Sequence, residues 1–567
     1  MNSIIEFKIK IDLINLDNPE SVFLINPYNL YNFKYFSYKI YLWGDPIMPN
    51  NFNEKNTNDI IQKIIKEIKG HYYFLVFDER LKQFIIGNSF LSILPVYYHR
   101  NKDEVIVSNN PLYCIMKSSI IVEKRYVLEN ILFNYPLFNY SCLKNVFLLP
   151  TNTFIEIKEN QFIIKKHTSL ECFFTKNPLK LKKSLNYIAD FFIQTAKDYL
   201  PETLYFNSLT GGFDGRTLAS LGLFYNKNFK AYTFGSENSV DRKIARLLSK
   251  EFKIDLVEFI LDDNYAKYFA FDNGLEFIQN SFGMGSFARA HYVYSAKKIS
   301  ELSDCVVTGN FGSEVFRAAH LTGEVISENL YHLFVSKNFD EAIRKIEQSK
   351  NWIWINRDNF SEEWYSLKED LLTLPIFRKE NQEFTTNQLF YLIVFEEIFR
   401  KYFGAEMQNQ FRYLKNRTPF IDYQFLTEIL KTEISGVHSD FFEQNPLKRS
   451  KGQLTYACII NKTYPFLLTI LTDKGYKPKD LLTKIGYVNI LKGYLGRKLN
   501  RKKTINDPYS VMASFLMNIS KWSSISIMNE IFNEYKFKEN FIKPIKDNTF
   551  FIALSQQWFL NKILNHQ

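Results

Sequence analysis

The sequence predicts an α+β sandwich at the N-terminus, followed by an α/β domain that has a parallel sheet and a helical C-terminal part. Short strand-like runs in hairpin order fill residues 1–175. From about 180 to 440, strand-like and helix-like runs alternate, which is typical of a parallel sheet covered by helices on both faces. Beyond about 440 the pattern is mostly helical. The predicted domains are therefore 1–175 and 176–567.

The clearest hairpin of the first domain joins Tyr72–Asp78 to Gln83–Asn88 through a polar turn, as expected of two paired strands. Further strand-like runs are Val96–His99, Glu104–Ser108 and Thr153–Ile157. Apolar residues at helical spacing predict a helix over Asp59–Ile68. Hairpins around few helices indicate the sandwich.

The second domain has four strand candidates, which are Leu204–Phe206, Ala231–Phe234, Leu256–Ile260 and Cys305–Thr308. Helical runs surround them at Leu181–Leu200, Asp241–Phe252 and His291–Leu302, and apolar-rich helical runs follow at Gln453–Ile460 and Phe466–Leu471. Ligands bind such sheets at the carboxyl ends of the strands. We therefore expect the site at the loops around Thr210 and Gly309.

Composition is that of an ordinary folded protein, with 46% hydrophobic and 23% charged residues among 567. The net charge of +11 is spread along the chain and predicts no specific nucleic-acid partner. The densest basic cluster is Arg497, Lys498, Arg501, Lys502 and Lys503. It is interpreted as a solvated loop or as a contact for an acidic substrate or partner.

The five cysteines form no Cys-x-x-Cys pair, which indicates a reducing compartment without a disulfide framework. The first residues lack the pattern of a signal peptide. No run of about 18 apolar residues is present, so no membrane span is expected. The predicted location is cytoplasmic.

The most informative motif is Thr210-Gly211-Gly212-Phe213-Asp214-Gly215-Arg216, which lies between a strand-like run and the helix-like run Leu218–Phe224. A strand, a glycine turn and a helix start together present backbone N–H groups to a phosphate. Paired glycines let the main chain approach a ligand closely. Asp214 is placed to hold a magnesium ion on that phosphate. The alternative is an ordinary strand-to-helix turn.

These residues resemble the Ser-Gly-Gly-x-Asp pyrophosphate loop of the asparagine synthetase family. Three further segments fit that family in its order. Ala231–Gly235, with Asp241 after it, is similar to the strand beside the adenine; Val306–Phe316 resembles the second phosphate loop, Gly-Asp-Gly-Gly-Asp-Glu-Leu-Phe; and Asn416–Asp422 resembles Arg-x-Pro-Phe-Leu-Asp. Four ordered matches are far more specific than one.

The resemblance implies an ATP-pyrophosphatase domain that uses ATP and Mg²⁺. In this family a carboxylate attacks the α-phosphorus, and an amine then converts the acyl adenylate into an amide. The implied ATP-binding residues are Thr210, Gly211, Gly212, Asp214, Gly215, Arg216, Phe234, Gly235, Gly309, Asn310, Gly312 and Ser313. The implied metal ligands are Asp214 and Glu314, and the implied catalytic residues are Lys451, Lys448 and Arg417.

The second loop departs from the family pattern. Asn310 stands where an acidic residue is usual, and Ser313 replaces the second metal-binding Asp. Because serine is a poorer magnesium ligand than a carboxylate, either Glu314 binds the ion or one metal site is weakened. Other assignments also have alternatives. Arg216 either adds a cation at the phosphate or is a surface arginine on the first helical turn. Arg417 either faces a phosphate or substrate carboxylate or pairs with Asp422, and each lysine is either catalytic or a solvated side chain.

The first domain resembles the Ntn glutaminase domain of the same synthetases, with Gly70–Asp78 and Leu94–Tyr98 as landmarks. Those glutaminases use a Cys at position 2, freed as the N-terminus, as nucleophile. Here position 2 is Asn2. The expectation is a degenerate glutaminase-like scaffold that supplies no ammonia from glutamine.

The predicted function is ATP-dependent, AMP-forming amide-bond formation, similar to that of β-lactam synthetases and lasso-peptide cyclases. The expected partners are a carboxylate substrate and an amine on a small molecule, sugar or peptide, with a precursor peptide among the candidates. Peptide macrocyclisation and amidation of a natural product or glycan both fit, and free ammonia remains open as the nucleophile. The alternative is a catalytically decayed synthetase that acts as a binding or scaffold protein.

Overall fold

A computed structural model describes residues 5–13, 22–52, 59–116, 120–159, 161–316, 323–378, 383–441, 451–500 and 511–565. Side chains are described only as far as residue 496 in the helix that ends at residue 500. No helix within these ranges is both long and apolar enough to cross a membrane.

Two antiparallel sheets form the first part of the chain. Their strands are β1 (Lys8–Asp12), β2 (Phe23–Ile25), β3 (Tyr31–Tyr35), β4 (Tyr38–Ile47), β5 (Lys69–Asp78), β6 (Gln83–Asn88), β7 (Tyr97–Arg100), β8 (Glu104–Ser108), β9 (Phe147–Leu148), β10 (Thr153–Lys158) and β11 (Gln161–Lys166). The strand orders are β2-β1-β8-β7-β9 and β11-β10-β6-β5-β4-β3. The predicted hairpin is confirmed as the β5–β6 pair, in register from Tyr73 opposite Asn88 to Asp78 opposite Gln83.

Aromatic side chains hold the two sheets face to face. The ring of Phe7, just before β1, lies 4.9 Å from the rings of both Trp43 on β4 and Tyr73 on β5. Neighbouring residues of a strand point to opposite faces. Accordingly, the hydroxyl of Tyr72 donates to the carbonyl of Ile64 in α1 (Ile60–Glu67), which covers the other face of the larger sheet. The predicted α+β arrangement is thus present.

A parallel sheet forms the centre of the second part. Its strands are β12 (Tyr205–Ser208), β13 (Phe229–Gly235), β14 (Leu256–Ile260), β15 (Cys305–Val307) and β16 (Lys415–Arg417). The order is β14-β13-β12-β15-β16, and all pairs are parallel. The four predicted strands are confirmed, and β16 is an addition. Because the chain winds outward in opposite directions from β12 and β15, the switch point of this sheet lies between them.

Helices flank the parallel sheet and form the C-terminal part. With α2 (Lys124–Phe133) in the sandwich, they are α3 (Leu181–Lys197), α4 (Asp214–Phe224), α5 (Val240–Phe252), α6 (Asp263–Tyr268), α7 (Ala270–Asn280), α8 (Ala290–Ser300), α9 (Gly312–Phe316), α10 (Glu328–Val335), α11 (Phe339–Glu347), α12 (Ser361–Leu372), α13 (Thr386–Ile393), α14 (Gly404–Gln410), α15 (Tyr423–Ile429), α16 (Lys451–Thr463), α17 (Gly486–Asn500), α18 (Val511–Met517), α19 (Ile519–Ser523), α20 (Glu534–Ile542) and α21 (Asn548–Asn565). A π-helical segment, Val394–Phe403, joins α13 to α14.

The predicted helices at Leu181–Leu200, Asp241–Phe252 and His291–Leu302 are confirmed as α3, α5 and α8, with ends that differ by a few residues. The helical run predicted at Phe466–Leu471 is instead a 3₁₀ turn, Pro465–Thr469. A 3₁₀ turn is a usual form for so short a helical segment.

Candidate functional site

Two glycine loops meet at the switch point of the parallel sheet. The first follows β12 and contains Asp214, and the second follows β15 and contains Ser313. The hydroxyl of Ser313 donates to Oδ2 of Asp214 over 3.2 Å. The loops predicted to share one ligand are therefore direct neighbours, at the edge of the sheet where ligands bind in such folds.

Two glycines make this approach possible. A Cβ on Gly312 would lie 2.6 Å from both Oδ1 of Asp214 and the hydroxyl oxygen of Tyr456, and a Cβ on Gly309 would overlap the side chain of Asp214. No other residue type fits these positions without displacing the first loop.

The first loop leads into an uncapped helix. α4 begins at Asp214, and no side chain accepts a hydrogen bond at its N-cap. The first N–H groups of a helix lack partners within the helix, and the helix dipole is positive at this end. The start of α4 is thus suited to an anion such as a phosphate.

Side chains already accept from two amides of the first loop. The N–H of Gly211 donates to Oδ1 of Asp241 over 2.9 Å, and the N–H of Gly212 donates to Oγ1 of Thr210 over 3.2 Å. Burial raises the pKa of Asp241, while the bond from Gly211 opposes that rise. A phosphate held here would either displace Asp241 or use the amides at the start of α4.

Both carboxylate oxygens of Asp214 have partners, since the hydroxyl of Tyr456 donates to Oδ1 and that of Ser313 to Oδ2. Within the described part of the chain, no three His, Cys, Asp or Glu side chains come together as metal ligands would. Magnesium is commonly held by one or two carboxylates together with substrate phosphates. The partly exposed Asp214 fits an ion that arrives with a nucleotide, and a preformed cage of protein ligands is not found among these residues.

The other metal candidate, Glu314, follows Ser313 on α9. Its backbone carbonyl accepts a hydrogen bond of 2.7 Å from the hydroxyl of Tyr391, and its side chain is partly buried. Glu314 therefore lies beside the residue that contacts Asp214.

Tyr456 is a site residue that sequence reasoning missed. It lies on α16, is nearly buried, and its ring packs 4.6 Å from that of Phe316 and 5.9 Å from that of Phe213. These rings hold the hydroxyl against Asp214. Its spacing in the sequence gives no signal for this role, since it is one apolar position of a helical run.

Asn310 makes its contacts with α14. Its amide donates to Oε1 of Glu406 over 3.0 Å, and the other oxygen of Glu406 accepts from Arg289 over 2.8 Å. Burial raises the pKa of Glu406, and Arg289 opposes the rise. The amide of Asn310 therefore anchors the second loop to a buried ion pair.

The expected phosphate contact of Arg216 is corrected by the structure. This side chain is fully buried, and its guanidinium donates to the carbonyls of Leu467, Ile470 and Leu471. Burial lowers its pKa to about 10. Arg216 thus fixes the 3₁₀ segment against α4 and offers no charge to a ligand in this conformation.

Arg417 also has a partner that neither earlier alternative included. Its Nε and Nη2 donate to the two oxygens of Asp45 on β4, over 2.8 and 3.0 Å. Asp422 instead accepts from the hydroxyl of Tyr199 and from the N–H of Phe425. The bidentate pair joins the parallel sheet to the sandwich, so Arg417 is not placed at the loops as a catalytic cation.

Phe234 and Gly235 end β13 at the same edge of the sheet as the loops. The ring of Phe234 lies 4.7 Å from that of His291. His291 also lines a cavity of about 210 Å³ with Tyr265, Trp522 and Leu261, the residue after β14. Burial lowers the pKa of His291 to about 3, so its imidazole is neutral at physiological pH.

Of the two candidate lysines, Lys448 lies outside the described residues. Lys451 is the first residue of α16 and is partly exposed. The next residue, Gly452, packs closely against the carbonyl of Phe316 at the end of α9. Lys451 is therefore beside the helix that follows the second loop.

No protein-family model matches this chain, and a comparison with curated proteins found no significant match.

Proposed function

We propose that this chain is an ATP-dependent, AMP-forming amide ligase related to the asparagine synthetases. The observation that carries the proposal is the contact of Ser313 with Asp214, which brings two glycine loops together at the switch point of a parallel sheet. Such a point is where α/β folds bind nucleotides. The uncapped start of α4 supplies the amides that a phosphate requires.

The residues would divide the work as follows. The amides at the start of α4 and the two glycine loops hold the phosphates, and Asp214 holds magnesium brought by the nucleotide. Held by Asp214, such an ion would supply positive charge beside the phosphates. Phe234 and the aromatic cavity beside it offer an apolar surface for the base. Lys451 is the candidate cation near the acyl group, where it stabilises developing negative charge.

The amine is proposed to come from the substrate or a second molecule. Cys114 and Cys142 lie buried in the sandwich. Burial raises the pKa of both thiols, to about 12 for Cys142, and a thiol in this state is a poor nucleophile. The carboxylate and the amine are then parts of small molecules, sugars or peptides.

The test is to incubate the full chain with ATP, Mg²⁺ and pools of carboxylic acids and amines, and to measure AMP and pyrophosphate. We expect equal release of both products with one acid pool, and a loss of roughly a hundredfold or more in Asp214→Asn. Asp198→Asn, on the surface and paired with Lys69, is the matched control. If ATP is bound but no pool yields AMP, the ligase proposal is rejected.

A second candidate function, nucleotide or anion binding without catalysis, is favoured by one feature. The oxygens of Asp214 and the amide of Gly211 all have partners within the chain. ATP binding that is measurable by calorimetry, independent of Mg²⁺ and without turnover would support this candidate.

A further inference from the structure

A large crevice separates the sandwich from the α/β part. It has a volume of about 870 Å³ and is lined by residues of both parts. The sandwich contributes Glu6 and Tyr28, and the α/β part contributes Asn280, Arg412 and Trp558. A volume of this size is in the range of small-molecule sites.

Two donors at this crevice lack partners. Nε of Arg412 and Nδ2 of Asn280 are both shielded from solvent, and neither has a hydrogen-bond partner among the described residues. Asn280 is 5% exposed. A buried donor without a partner costs free energy, and native structures rarely leave such groups unsatisfied. Both residues line the crevice, so an acceptor bound there is the candidate partner for these donors.

Three carboxylates line the crevice, those of Glu6, Asp272 and Glu276, and two of them have other partners. Glu6 accepts a hydrogen bond from the hydroxyl of Tyr113. Glu276 accepts from Tyr413 and pairs with Lys297. Arg412 forms no ion pair within the described part of the chain. Its charge is close to Tyr113, where burial raises the pKa of the phenol and Arg412 opposes that rise. The guanidinium thus remains available to an anionic group.

The crevice is distinct from the proposed nucleotide site. Arg412 and Tyr413 come before β16, at the amino end of that strand, whereas the glycine loops follow the carboxyl ends of β12 and β15. A ligand held by Arg412 and Tyr413 would therefore lie at the opposite edge of the sheet from Asp214.

We propose that the crevice binds an α-carboxylate, either that of a free α-amino acid or that of the C-terminal residue of a short peptide. Arg412 and Asn280 receive the carboxylate, since a guanidinium and an amide are good donors to it. The carboxylate of Glu6 faces the ammonium group of a free amino acid, or the amide N–H of a peptide's last residue. The rings of Trp558 and Tyr28 provide the apolar surface for the side chain.

The experiment measures tryptophan fluorescence and calorimetric heat while the full chain is titrated with the standard amino acids, with triglycine, and with the corresponding amino-acid amides. We expect at least one amino acid or the tripeptide to bind and to change the fluorescence, and the amides, which lack the carboxylate, to fail. Binding of the amino acid alone identifies a free-metabolite site, and binding of triglycine as well identifies a peptide end. Trp558→Phe should remove the fluorescence change while binding remains.

Arg412→Gln should weaken binding by roughly tenfold or more, because it removes a charged donor to the carboxylate. Asn280→Ala should weaken it by a smaller factor. Arg80→Gln, at an exposed arginine of the β5–β6 turn, is the matched control and should bind normally. The proposal is overturned if no amino acid or peptide binds, if the amides bind equally well, or if the folded Arg412→Gln variant binds as the parent does. None of these outcomes depends on ATP turnover.

Discussion

The hydroxyl of Ser313 and the carboxylate of Asp214 form a hydrogen bond of 3.2 Å that joins the loops on either side of the switch point. A hydroxyl and a carboxylate attract each other without help from a cation. Two carboxylates at this separation would repel and require a cation or a shared proton. The chain can therefore keep its two loops together in the absence of a metal ion.

Ser313→Asp should make the fold at this site depend on magnesium. Without a divalent ion, the second carboxylate repels Asp214, and we expect a loss of about 1–2 kcal/mol, which lowers the melting temperature of a chain of this size by about 1–2 °C. Millimolar Mg²⁺ should restore most of the loss, because two carboxylates form a better site than one. Thermal melts of both proteins with and without Mg²⁺ measure this.

Two neutral variants are the controls for this experiment. Ser313→Asn has the shape of Asp without its charge, and Ser313→Ala removes only the hydrogen bond, at a cost of about 1 kcal/mol. Both should melt at the same temperature with and without Mg²⁺. A magnesium response in Ser313→Asn, or none in Ser313→Asp, would contradict the explanation by charge.

Asp241→Asn should raise the affinity for pyrophosphate. The carboxylate of Asp241 accepts from the N–H of Gly211 over 2.9 Å, so its negative charge lies beside the amides proposed to bind phosphate. Asn retains an acceptor for Gly211 and removes that charge. We expect binding of pyrophosphate to improve by about threefold to tenfold, measured by calorimetry at constant ionic strength.

The same interaction predicts a pH effect with a definite sign. Burial raises the pKa of Asp241, so its proton is taken up at a higher pH than that of an ordinary aspartate. Affinity should then rise as pH falls toward that pKa. Pyrophosphate itself also takes up protons, so the comparison is with Asp241→Asn, in which the contribution from residue 241 must vanish. Equal pH profiles for the parent and Asp241→Asn would contradict a contribution from the protonation of Asp241.

The sequence was sufficient where the structural signal is local. The glycine loops and the strands β12 to β15 were predicted because apolar runs end at turn residues within a few positions. β16 was missed, since its three residues Lys415, Asn416 and Arg417 contain no apolar run. Only its neighbour β15 makes it a strand.

Partners far away in the chain were not predictable from one sequence. Tyr456 lies 242 positions from Asp214, and Arg417 lies 372 positions from Asp45. Arg216 stands in the first turn of its helix, where a phosphate contact was expected, yet its guanidinium donates to the carbonyls of Leu467, Ile470 and Leu471. The packing of the whole chain determines which groups meet across such distances. Local sequence patterns do not predict these contacts.

Arg417→Gln should destabilise the contact between the sandwich and the parallel sheet. The side chain of Asp45 is 5% exposed and that of Arg417 is 16% exposed, so removing the cation leaves a nearly buried carboxylate without its partner. We expect a loss of about 2–3 kcal/mol, somewhat less than for a fully buried pair. Urea unfolding followed by tryptophan fluorescence measures it, with particular attention to separate transitions for the two parts.

The double variant Asp45→Asn with Arg417→Gln is the control, and it should recover part of the loss because no charge is then left unpaired. Glu79→Gln removes the exposed pair with Lys34 and should cost less than about 1 kcal/mol. If the double variant is less stable than either single variant, the pair is not the source of the effect.

His71→Gln should reduce the acid sensitivity of the fold. The imidazole of His71 is buried beside β16 and its Nε2 lies 2.7 Å from Oγ1 of Thr418. Burial lowers its pKa from 6.5 to about 4, and the nearby Asp45 opposes this only in part. The unfolded chain therefore takes up a proton near pH 6.5 that the folded chain refuses, so the stabilisation is complete above that pH and is lost as pH falls toward 4. Between pH 7 and pH 5 this one group accounts for about 2 kcal/mol of the free energy of unfolding.

Urea unfolding at pH 7 and at pH 5 measures this effect. The difference in unfolding free energy between the two pH values should be smaller for His71→Gln than for the parent. His99→Gln, at a partly exposed site on β7, is the control and should show the parent's difference. An unchanged difference in His71→Gln would mean that His71 is not the group that titrates.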